Sequence, residues 1–304
     1  MTRVLLLGSS GFIGGHVRTA LEAHPEVQEV LCLRRAELDL LTAGVGDLCE
    51  VLERTGPDVV VNCTGRLDGS ADDLMTVHAL VTARLLDAIA RCAAGTRLVR
   101  LGSAGEYGPV PHGTRVREGD PARPVGAYGV SHLAATELVR TAAENGAVDA
   151  VSLRVFNPIG AGAQGESLLV RAAERIVEAL RDDLDEVRMG PLSAWRDLVD
   201  ARDVATAVAA AVTVPVLPAP VVNVGRGQAV RSREVVAALA GVAGFAGRVV
   251  EDLVPPGRSR GVDWTCADTT LAEQGLGWWP RYGLSDAVEA VWRDVGARAP
   301  ADAA

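Results

Sequence analysis

The feature that most constrains the fold is an apolar run followed at once by three evenly spaced glycines. Residues 4–7 read Val-Leu-Leu-Leu, which is typical of a strand buried on both faces. Gly8, Gly11 and Gly14 follow as G-x-x-G-x-x-G, and apolar residues at helical spacing come next. The pattern predicts a strand, a tight turn and a helix whose first amides face an anion. It differs from the commoner G-x-G-x-x-G, so a glycine-rich turn without a ligand stays an alternative.

Apolar strands alternate with helical patterns from residue 3 to residue 157. Further strands begin near Val30, Val59, Leu98 and Ala150, and a helix is predicted over residues 72–94. Such alternation predicts an α/β fold, a doubly wound parallel sheet with ligands at the carboxyl ends of its strands. His78 lies near the apolar stripe of the 72–94 helix, and we interpret it as a packing residue.

Composition excludes several classes of function. The formal net charge of −9 argues against nucleic acid or an anionic membrane as a partner. No apolar run reaches spanning length and no signal peptide is evident, so a cytoplasmic location is expected. The cysteines lack metal-site spacing, which predicts reduced thiols and no metal site; they are Cys32, Cys49, Cys63, Cys92 and Cys266.

Two arginines follow the second predicted strand. Arg34 stands twenty positions after Gly14, where many dinucleotide-binding folds carry an acid for the ribose 2′-hydroxyl. Arg34 and Arg35 would instead attract a 2′-phosphate, which favours NADP(H) over NAD(H). The alternative is a pair of solvated charges at a strand end.

With these features the chain resembles the extended short-chain dehydrogenase/reductase family, in its NAD(P)-dependent epimerase/dehydratase branch. The resemblance rests on several motifs in one order: the glycine run, Asp39, Asn62 to Gly65, Ser103 to Gly108, Tyr128, Asn157-Pro158, Arg196-Asp197, Asn223 to Gly225 and Leu276 to Trp278. It implies a Rossmann domain over residues 1–165, rejoined by 196–225, and a smaller C-terminal substrate-binding domain over 166–195 and 226–304. A homodimer is also expected.

The resemblance implies a cofactor site at the carboxyl ends of the first strands and of the strand that ends near residue 156. Its residues would be Gly8, Ser10, Gly11, Phe12, Ile13, Gly14, Arg34, Arg35, Asp39, Leu40, Cys63, Thr64, Gly65, Asn157 and Pro158.

The family's chemistry implies roles for three catalytic residues. Tyr128 resembles the acid that protonates the substrate oxygen as hydride moves, and Ser103, 25 positions earlier, resembles its hydrogen-bonding partner. The family usually carries Tyr-x-x-x-Lys, but the fourth residue after Tyr128 is His132, and the chain contains no lysine. We expect His132 to replace the lysine as ribose ligand and to be charged part of the time.

The resemblance also implies substrate contacts from Ala104, Tyr107 and Asn157, with Arg196 and Arg258 clamping a diphosphate. Arg196 could instead pair with Asp200 or Asp203. The 4,6-dehydratases of the family carry Asp-Glu after the catalytic hydroxyl residue, whereas Ala104-Gly105 stand here, so dehydration is not expected.

Three functions follow. The leading one is an NAD(P)H-dependent oxidoreductase or epimerase of a nucleotide-activated sugar, as a 4-ketoreductase or epimerase. The second keeps the hydride chemistry but reduces a hydrophobic, polyketide-type natural-product ketone, which needs no phosphate-binding arginines. The third is a non-catalytic dinucleotide-binding protein, suggested by the missing lysine and opposed by Ser103 and Tyr128.

Overall fold

The computed structural model describes residues 1–165, 167–253 and 261–298 and has a six-stranded parallel sheet at its centre. The strands are β1 (Thr2–Leu7), β2 (Val27–Cys32), β3 (Val59–Asn62), β4 (Arg97–Ser103), β5 (Ala150–Val155), β6 (Pro158–Ile159), β7 (Glu186–Met189), β8 (Trp195–Asp197), β9 (Val199–Asp200), β10 (Val221–Val224), β11 (Ala229–Arg231) and β12 (Arg248–Glu251). The strand order in the central sheet is β10-β5-β4-β3-β1-β2, which confirms the predicted Rossmann-like α/β class.

Helices connect and cover these strands. They are α1 (Phe12–Glu22), α2 (Val45–Thr55), α3 (Ala71–Met75), α4 (Val81–Cys92), α5 (Ala127–Glu144), α6 (Leu168–Arg181), α7 (Ala201–Thr213), α8 (Ser232–Val242), α9 (Thr270–Leu276) and α10 (Leu284–Arg298). A π-helical segment, Thr76–Leu80, joins α3 to α4 inside the predicted 72–94 helix, and a 3₁₀ turn, Ala104–Glu106, follows β4. None of the helices in the described ranges is long and apolar enough to cross a bilayer.

The sheet is covered on both faces, which explains the unbroken apolar run of β1. Val4 and Leu6 belong to the core that the sheet forms with α1 and α7. Leu5 and Leu7 belong to the opposite core, formed with α2 and α4. Alternate side chains of a strand point to opposite faces, so a strand between two helical layers needs apolar residues at every position.

A further core lies outside the sheet layers. It is formed by α6, α8 and α10 together with the parallel pair of β7 and β12. Ile176 and Leu239 are fully buried in it. This separate core supports the predicted C-terminal substrate-binding domain, whose limits stay a prediction.

Strand order reverses at β1, which pairs with β2 on one side and with β3 on the other. The loops that follow β1 and β3 meet there. Gly8 has a φ of 80°, and a Cβ built on it would lie 2.9 Å from the carbonyl carbon of Cys63 and from the amide nitrogen of Thr64. In open α/β sheets ligands bind at such reversal points, so this crevice is the expected dinucleotide site.

One prediction about the cysteines is wrong. Cys49 on α2 and Cys92 at the end of α4 form a disulfide, with their Cα atoms 5.5 Å apart. The two helices pack against each other over the sheet, which brings together cysteines that are 43 positions apart in the sequence. Cys32, Cys63 and Cys266 are free thiols, as predicted.

The turn between β1 and α1 generates a stability prediction. A Cβ on Gly14 would lie 1.9 Å from the carbonyl oxygen of Gly8, whereas a Cβ on the neighbouring Gly15 would meet its nearest neighbour, the Ser9 oxygen, at 3.9 Å. Gly14→Ala should therefore lower the free energy of unfolding by about 1–3 kcal/mol, because α1 must move away from the turn. The measurement is urea denaturation followed by circular dichroism.

Gly15→Ala is the matched control, since it adds the same methyl group to the same helix. It should leave stability unchanged or raise it by up to about 1 kcal/mol, the helix-propensity difference between alanine and glycine. Equal stability of the two variants would contradict the close packing inferred at Gly14.

Candidate active site

The amino-terminal end of α1 has the features of a phosphate site. Its N-cap is Gly11, which has no side chain to bond the first amides of the helix, and the Gly11 amide itself donates to Gly8 O at 3.1 Å. Ser10 and Gly11 are exposed at the turn, while Phe12 and Ile13 pack partly into the cores. Open helix amides and close backbone approach suit a dinucleotide pyrophosphate, so the residues present fit the predicted cofactor.

The two predicted 2′-phosphate ligands lie in the loop after β2. Arg34 pairs with Glu37 and Arg35 with Asp39, each at 3.1 Å, and the arginine side chains are 84% and 74% exposed. Exposed ion pairs of this kind are weak. A phosphate group can therefore compete with the carboxylates for both guanidinium groups.

Residues after β3 form a turn that is held from within. The Asn62 side-chain oxygen accepts bonds from the Thr64 amide at 3.0 Å and from the Thr64 hydroxyl at 2.6 Å. Gly65 comes next, and a Cβ there would lie 3.4 Å from His78 Nε2. The predicted cofactor residues Cys63, Thr64 and Gly65 thus line the reversal point opposite the Gly8 turn, while Leu40 packs beside the core under α2.

The side chains of the predicted catalytic residues Ser103 and Tyr128 both lie beside Gly105. Ser103 ends β4 and Tyr128 lies in the first turn of α5. A Cβ built on Gly105 would lie 3.4 Å from Ser103 Oγ and 3.3 Å from Tyr128 Cε1. Ser103 Oγ accepts a bond from the Gly105 amide at 3.1 Å. That bond uses one lone pair, so the Ser103 hydroxyl can still donate its hydrogen to a substrate oxygen.

Glu106 holds this arrangement in place, and the sequence reasoning missed it. One oxygen of its fully buried carboxylate accepts bonds from the Ser103 amide and from the Thr136 hydroxyl, both at 3.0 Å. The other accepts from Arg154 Nε on β5 at 2.7 Å. Glu106 therefore ties the end of β4 to β5 and α5. A carboxylate engaged in this way is not placed to exchange protons with a substrate.

His132 is buried, and one part of the prediction for it is wrong. Arg100 NH2 donates to His132 Nδ1 at 2.9 Å. Burial, and after it the nearby Arg100 charge, hold the pKa of His132 well below its usual 6.5. The ring is therefore neutral near pH 7 and does not act as a part-time cation. Its role as ribose ligand stays a prediction.

His78 is not only a packing residue. Its ring centroid lies 3.8 Å from that of His132 and 5.7 Å from that of Tyr128. Its Nε2 accepts the Arg66 amide at 3.2 Å, so it links the loop after β3 to α5. Burial lowers the pKa of His78 to about 4. The sequence signal for this role was weak, because a single histidine on an apolar stripe has many explanations.

Tyr107 corrects a second prediction. Its side chain is buried, and its hydroxyl donates to the Asn223 side-chain oxygen at 2.7 Å. The Arg154 guanidinium lies 4.6 Å from the ring centroid, and burial raises the pKa of Tyr107 to about 12. A core tyrosine with its hydroxyl engaged does not contact substrate. Ala104 is also largely buried, and its substrate contact stays a prediction.

Asn157, which follows β5, bonds to β8 and to the segment around Thr265. Its side-chain nitrogen donates to the carbonyl oxygen of Asp197 on β8 at 2.9 Å and to Thr265 Oγ1 at 3.2 Å. Its φ of 29° turns the chain into β6, which begins at Pro158. Contacts of Asn157 and Pro158 with cofactor or substrate stay predictions.

Arg196 does not form the ion pairs considered for it. Its guanidinium donates to the carbonyl oxygens of Trp195 and Val262, both at 2.8 Å. Asp200 pairs instead with Arg202, and Asp203 accepts the amides of residues 281 and 282. Burial lowers the pKa of Arg196 from its ordinary value, yet the group keeps N–H donors for an anion. The second predicted clamp residue, Arg258, lies outside the described residues.

Comparison with known proteins assigns a family to this architecture. The model of the NAD-dependent epimerase/dehydratase family matches residues 4–225. The chain is 39% identical over 303 residues to dTDP-6-deoxy-L-talose 4-dehydrogenase (NAD(P)(+)) of Kitasatospora kifunensis, covering 95% of this chain and 94% of that protein. It is 25% identical to a putative GDP-L-fucose synthase 2 of Oryza sativa subsp. japonica, covering 96% and 86%.

Solved structures share the fold over almost the whole chain. RMD from Pseudomonas aeruginosa, complexed with NADPH, superimposes with a TM-score of 0.84 at 23% identity and 98% coverage of both chains. The UDP-glucose 4-epimerase of Thermus thermophilus, complexed with NAD, gives a TM-score of 0.81 at 25% identity, covering 97% of this chain and 99% of that one.

The buried pair of Glu106 and Arg154 generates a prediction. Glu106→Gln keeps the shape of the side chain but leaves the Arg154 charge without its partner in a site that is almost fully buried. Breaking a buried pair in this way costs about 3–5 kcal/mol, and turnover should fall because Ser103 loses its support. Thermal and chemical denaturation measure the first effect and steady-state kinetics the second.

Glu289→Gln is the matched control, because it removes the same charge from an exposed pair with Arg293 on α10. It should have little effect on stability. A Glu106→Gln protein as stable as this control would show that the buried pair does not hold the site together.

Proposed function

Because the chain belongs to the NAD-dependent epimerase/dehydratase family, we propose that it interconverts an alcohol and a ketone at C4 of a nucleotide-activated deoxysugar. Membership confirms the prediction of an NAD(P)-dependent oxidoreductase or epimerase. The observation that carries the finer proposal is that Ser103 and Tyr128 both lie beside Gly105. They are at the carboxyl end of β4, the side of the sheet where the cofactor crevice opens. The name of the relative at 39% identity supports the sugar and the position of the reaction.

The chemistry needs a proton source and a hydrogen-bond donor at one oxygen. When bound, the nicotinamide supplies or accepts the hydride at the sugar carbon. In the direction of reduction, the Tyr128 hydroxyl gives its proton to the oxygen that becomes the alcohol, while the Ser103 hydroxyl donates a hydrogen bond to the same oxygen. In the direction of oxidation, Tyr128 takes the proton back.

Dehydration is disfavoured by the residues next to the catalytic serine. Eliminating water from the sugar needs an acid and a base aimed at neighbouring carbons. Ala104 and Gly105 have no titratable side chain, and the Glu106 carboxylate is bonded to Ser103, Thr136 and Arg154. A dehydrogenase or ketoreductase therefore suits the site better.

A diphosphate-linked sugar is supported by Arg196. The carbonyl oxygens of Trp195 and Val262 orient its guanidinium without neutralising it. A partly buried arginine that lacks a bonded carboxylate among the described residues is a strong phosphate ligand. Arg258 is proposed as the second ligand, from the family resemblance alone.

NADP(H) is proposed as the preferred cofactor. Arg34 and Arg35 stand at the end of β2 and are held only by exposed ion pairs. Their guanidinium groups can turn to a 2′-phosphate at little cost, because each pair contributes little in water. The name of the relative at 39% identity gives NAD(P)(+), which does not distinguish the two cofactors. The proposed preference for NADP(H) therefore rests on Arg34 and Arg35 of this chain.

A cytoplasmic homodimer completes the proposal. Apolar side chains are exposed along α5, with Val130 and Leu138 at 47% and 38%. Leu80, beside them on the segment before α4, is 43% exposed. Pairing of α4 and α5 with the same helices of a second copy would cover them, and sedimentation equilibrium tests the dimer.

Activity on a dTDP-linked 4-keto-6-deoxyhexose with NADPH tests the proposal. The wild type should reduce it, with dTDP as a competitive inhibitor. Tyr128→Phe should slow turnover by roughly 10²–10⁴, the usual contribution of a positioned acid, while NADPH binding is kept. Tyr282→Phe, which removes a hydroxyl from a ring stacked on Arg202, is the control and should react like the wild type.

Absence of dTDP and UDP binding to the NADPH-loaded protein, with reduction of an aromatic polyketide ketone instead, would replace the sugar by the natural-product ketone. Near-normal turnover by Tyr128→Phe would place the proton source elsewhere. NADPH binding without turnover of either substrate class would favour the non-catalytic protein.

Cofactor preference gives a separate prediction. The wild type should bind NADPH more tightly than NADH, and Arg34→Asp should cut that preference by about tenfold or more, since it replaces attraction for the 2′-phosphate with repulsion. Arg293→Asp removes an arginine that is also 74% exposed and ion-paired, but on α10, and should leave the preference unchanged. Fluorescence titration of the bound nicotinamide measures both. Tighter NADH binding by the wild type would contradict the prediction.

A further inference from the structure

Arg100 is a buried cation with no established role. It lies in the middle of β4, and its side chain is almost wholly inaccessible. NH1 donates to Thr136 Oγ1 at 3.1 Å and to Ser152 Oγ at 3.0 Å, and NH2 donates to His132 Nδ1 at 2.9 Å. All three acceptors are uncharged. The nearest carboxylate in this network, that of Glu106, is reached through Thr136 Oγ1. The guanidinium therefore keeps NH2 for the His132 ring.

The contact with Arg100 fixes the state of His132. A guanidinium group can only donate hydrogen bonds, so Nδ1 must be the bare nitrogen of the imidazole and Nε2 must carry the proton. A second proton on the ring would place an N–H against an N–H. His132 is thus held as a neutral ring that donates from Nε2.

The position of the proton on His78, whose ring lies beside that of His132, follows from the same argument. The Arg66 amide donates to His78 Nε2, so the proton of His78 lies on Nδ1 and is donated to Ser131 Oγ at 2.8 Å. Ser131 Oγ in turn donates to the carbonyl oxygen of Tyr128 at 2.9 Å. His78 covers one part of the His132 ring at 3.8 Å, and the Tyr128 ring lies 4.6 Å from it.

We infer that Arg100 is a positioning residue that supplies, through neutral His132, the positive charge which the lysine of Tyr-x-x-x-Lys provides in the wider family. Arg100 comes from β4 and bonds the His132 ring, whose centroid lies 4.6 Å from that of Tyr128. This inference rests on the proposed function, because it assigns Tyr128 the proton transfer.

Electrostatics supports the coupling. Burial lowers the pKa of Arg100 to about 10, and Glu106 and Tyr128 are the charges that act to raise it. Arg100 thus stays charged near neutral pH and interacts electrostatically with Tyr128. The titratable and charged groups around His132 are Arg100 on β4, His78 on the π-helical segment and Tyr128 on α5.

The first test reads the state of His132 directly. Long-range ¹H–¹⁵N spectra of the apo and NADPH-bound protein should show His132 as the neutral Nε2–H tautomer with no titration from about pH 6 to 8, where an ordinary histidine titrates. Arg100→Met should let the proton occupy either ring nitrogen, while burial still holds the pKa of His132 below its usual value. A wild-type ring protonated on Nδ1, or a spectrum unchanged in Arg100→Met, would overturn the inference.

The second test moves the positive charge from position 100 to position 132. Arg100→Met should lower kcat by roughly 10–100-fold, by analogy with the loss seen when the partner that orients a metal-bound histidine is removed. His132→Lys in the wild-type background should also lower it, because a second cation would face Arg100. The double variant Arg100→Met/His132→Lys should recover most of the loss. Equal effects of His132→Lys in both backgrounds would overturn the inference, since a purely structural arginine gives no such rescue.

Two further variants separate charge from packing. Arg100→Gln keeps a donor of reduced size and no charge, so it should retain folding while losing kcat, and His132→Lys should rescue it. Arg140→Met is the matched control, because it removes an exposed arginine of α5 that pairs with Glu137, and it should leave the His132 tautomer and kcat unchanged. If the wild type binds no nucleotide sugar, the proposed function fails on that result alone, while the spectra still decide the state of His132.

Discussion

The buried polar network between β4, β5 and α5 is the interaction on which the site depends. Glu106 pairs with Arg154 at 2.7 Å, and Thr136 and Ser152 connect that pair to Arg100. Among the residues that the structure describes, every buried side-chain nitrogen and oxygen has a hydrogen-bond partner. Such a network stabilises only when it is fully satisfied. Its three charges therefore fix one relative position for two strands and a helix.

This network also holds the backbone that carries the catalytic residues. Glu106 bonds the Ser103 amide, and the turn that follows places Gly105 against the Tyr128 ring. The absence of a side chain at Gly105 then lets the Ser103 hydroxyl and the Tyr128 ring approach the same point. The buried polar residues thus set the distance between β4 and α5. The glycines set the distance between β1 and α1 in the same way.

Features encoded in adjacent residues could be predicted from the sequence, and features encoded in distant partners could not. The β1 glycine run and the alternation of apolar strands with helical patterns are local, and the fold class followed from them. The roles predicted for Ser103 and Tyr128 came from the resemblance to the family. By contrast, Arg100 and His132 are 32 positions apart, His78 and Ser131 are 53 apart, and Cys49 and Cys92 are 43 apart. Tyr107 and Tyr128 are the same residue type near similar glycines, and only burial in three dimensions separates a core tyrosine from a catalytic one.

The chain has no lysine, and the electrostatic environment of Tyr128 depends instead on His132 and Arg100. A solitary exposed histidine would gain and lose its charge around neutral pH, and the proton affinity of its neighbours would vary with it. Burial beside Arg100 removes that variation, because the imidazole stays neutral while the guanidinium stays charged. An arginine at position 132 would instead bring a second permanent cation close to Arg100. A neutral ring with a fixed donor, backed by a permanent charge, gives the tyrosine a constant electrostatic environment without a lysine.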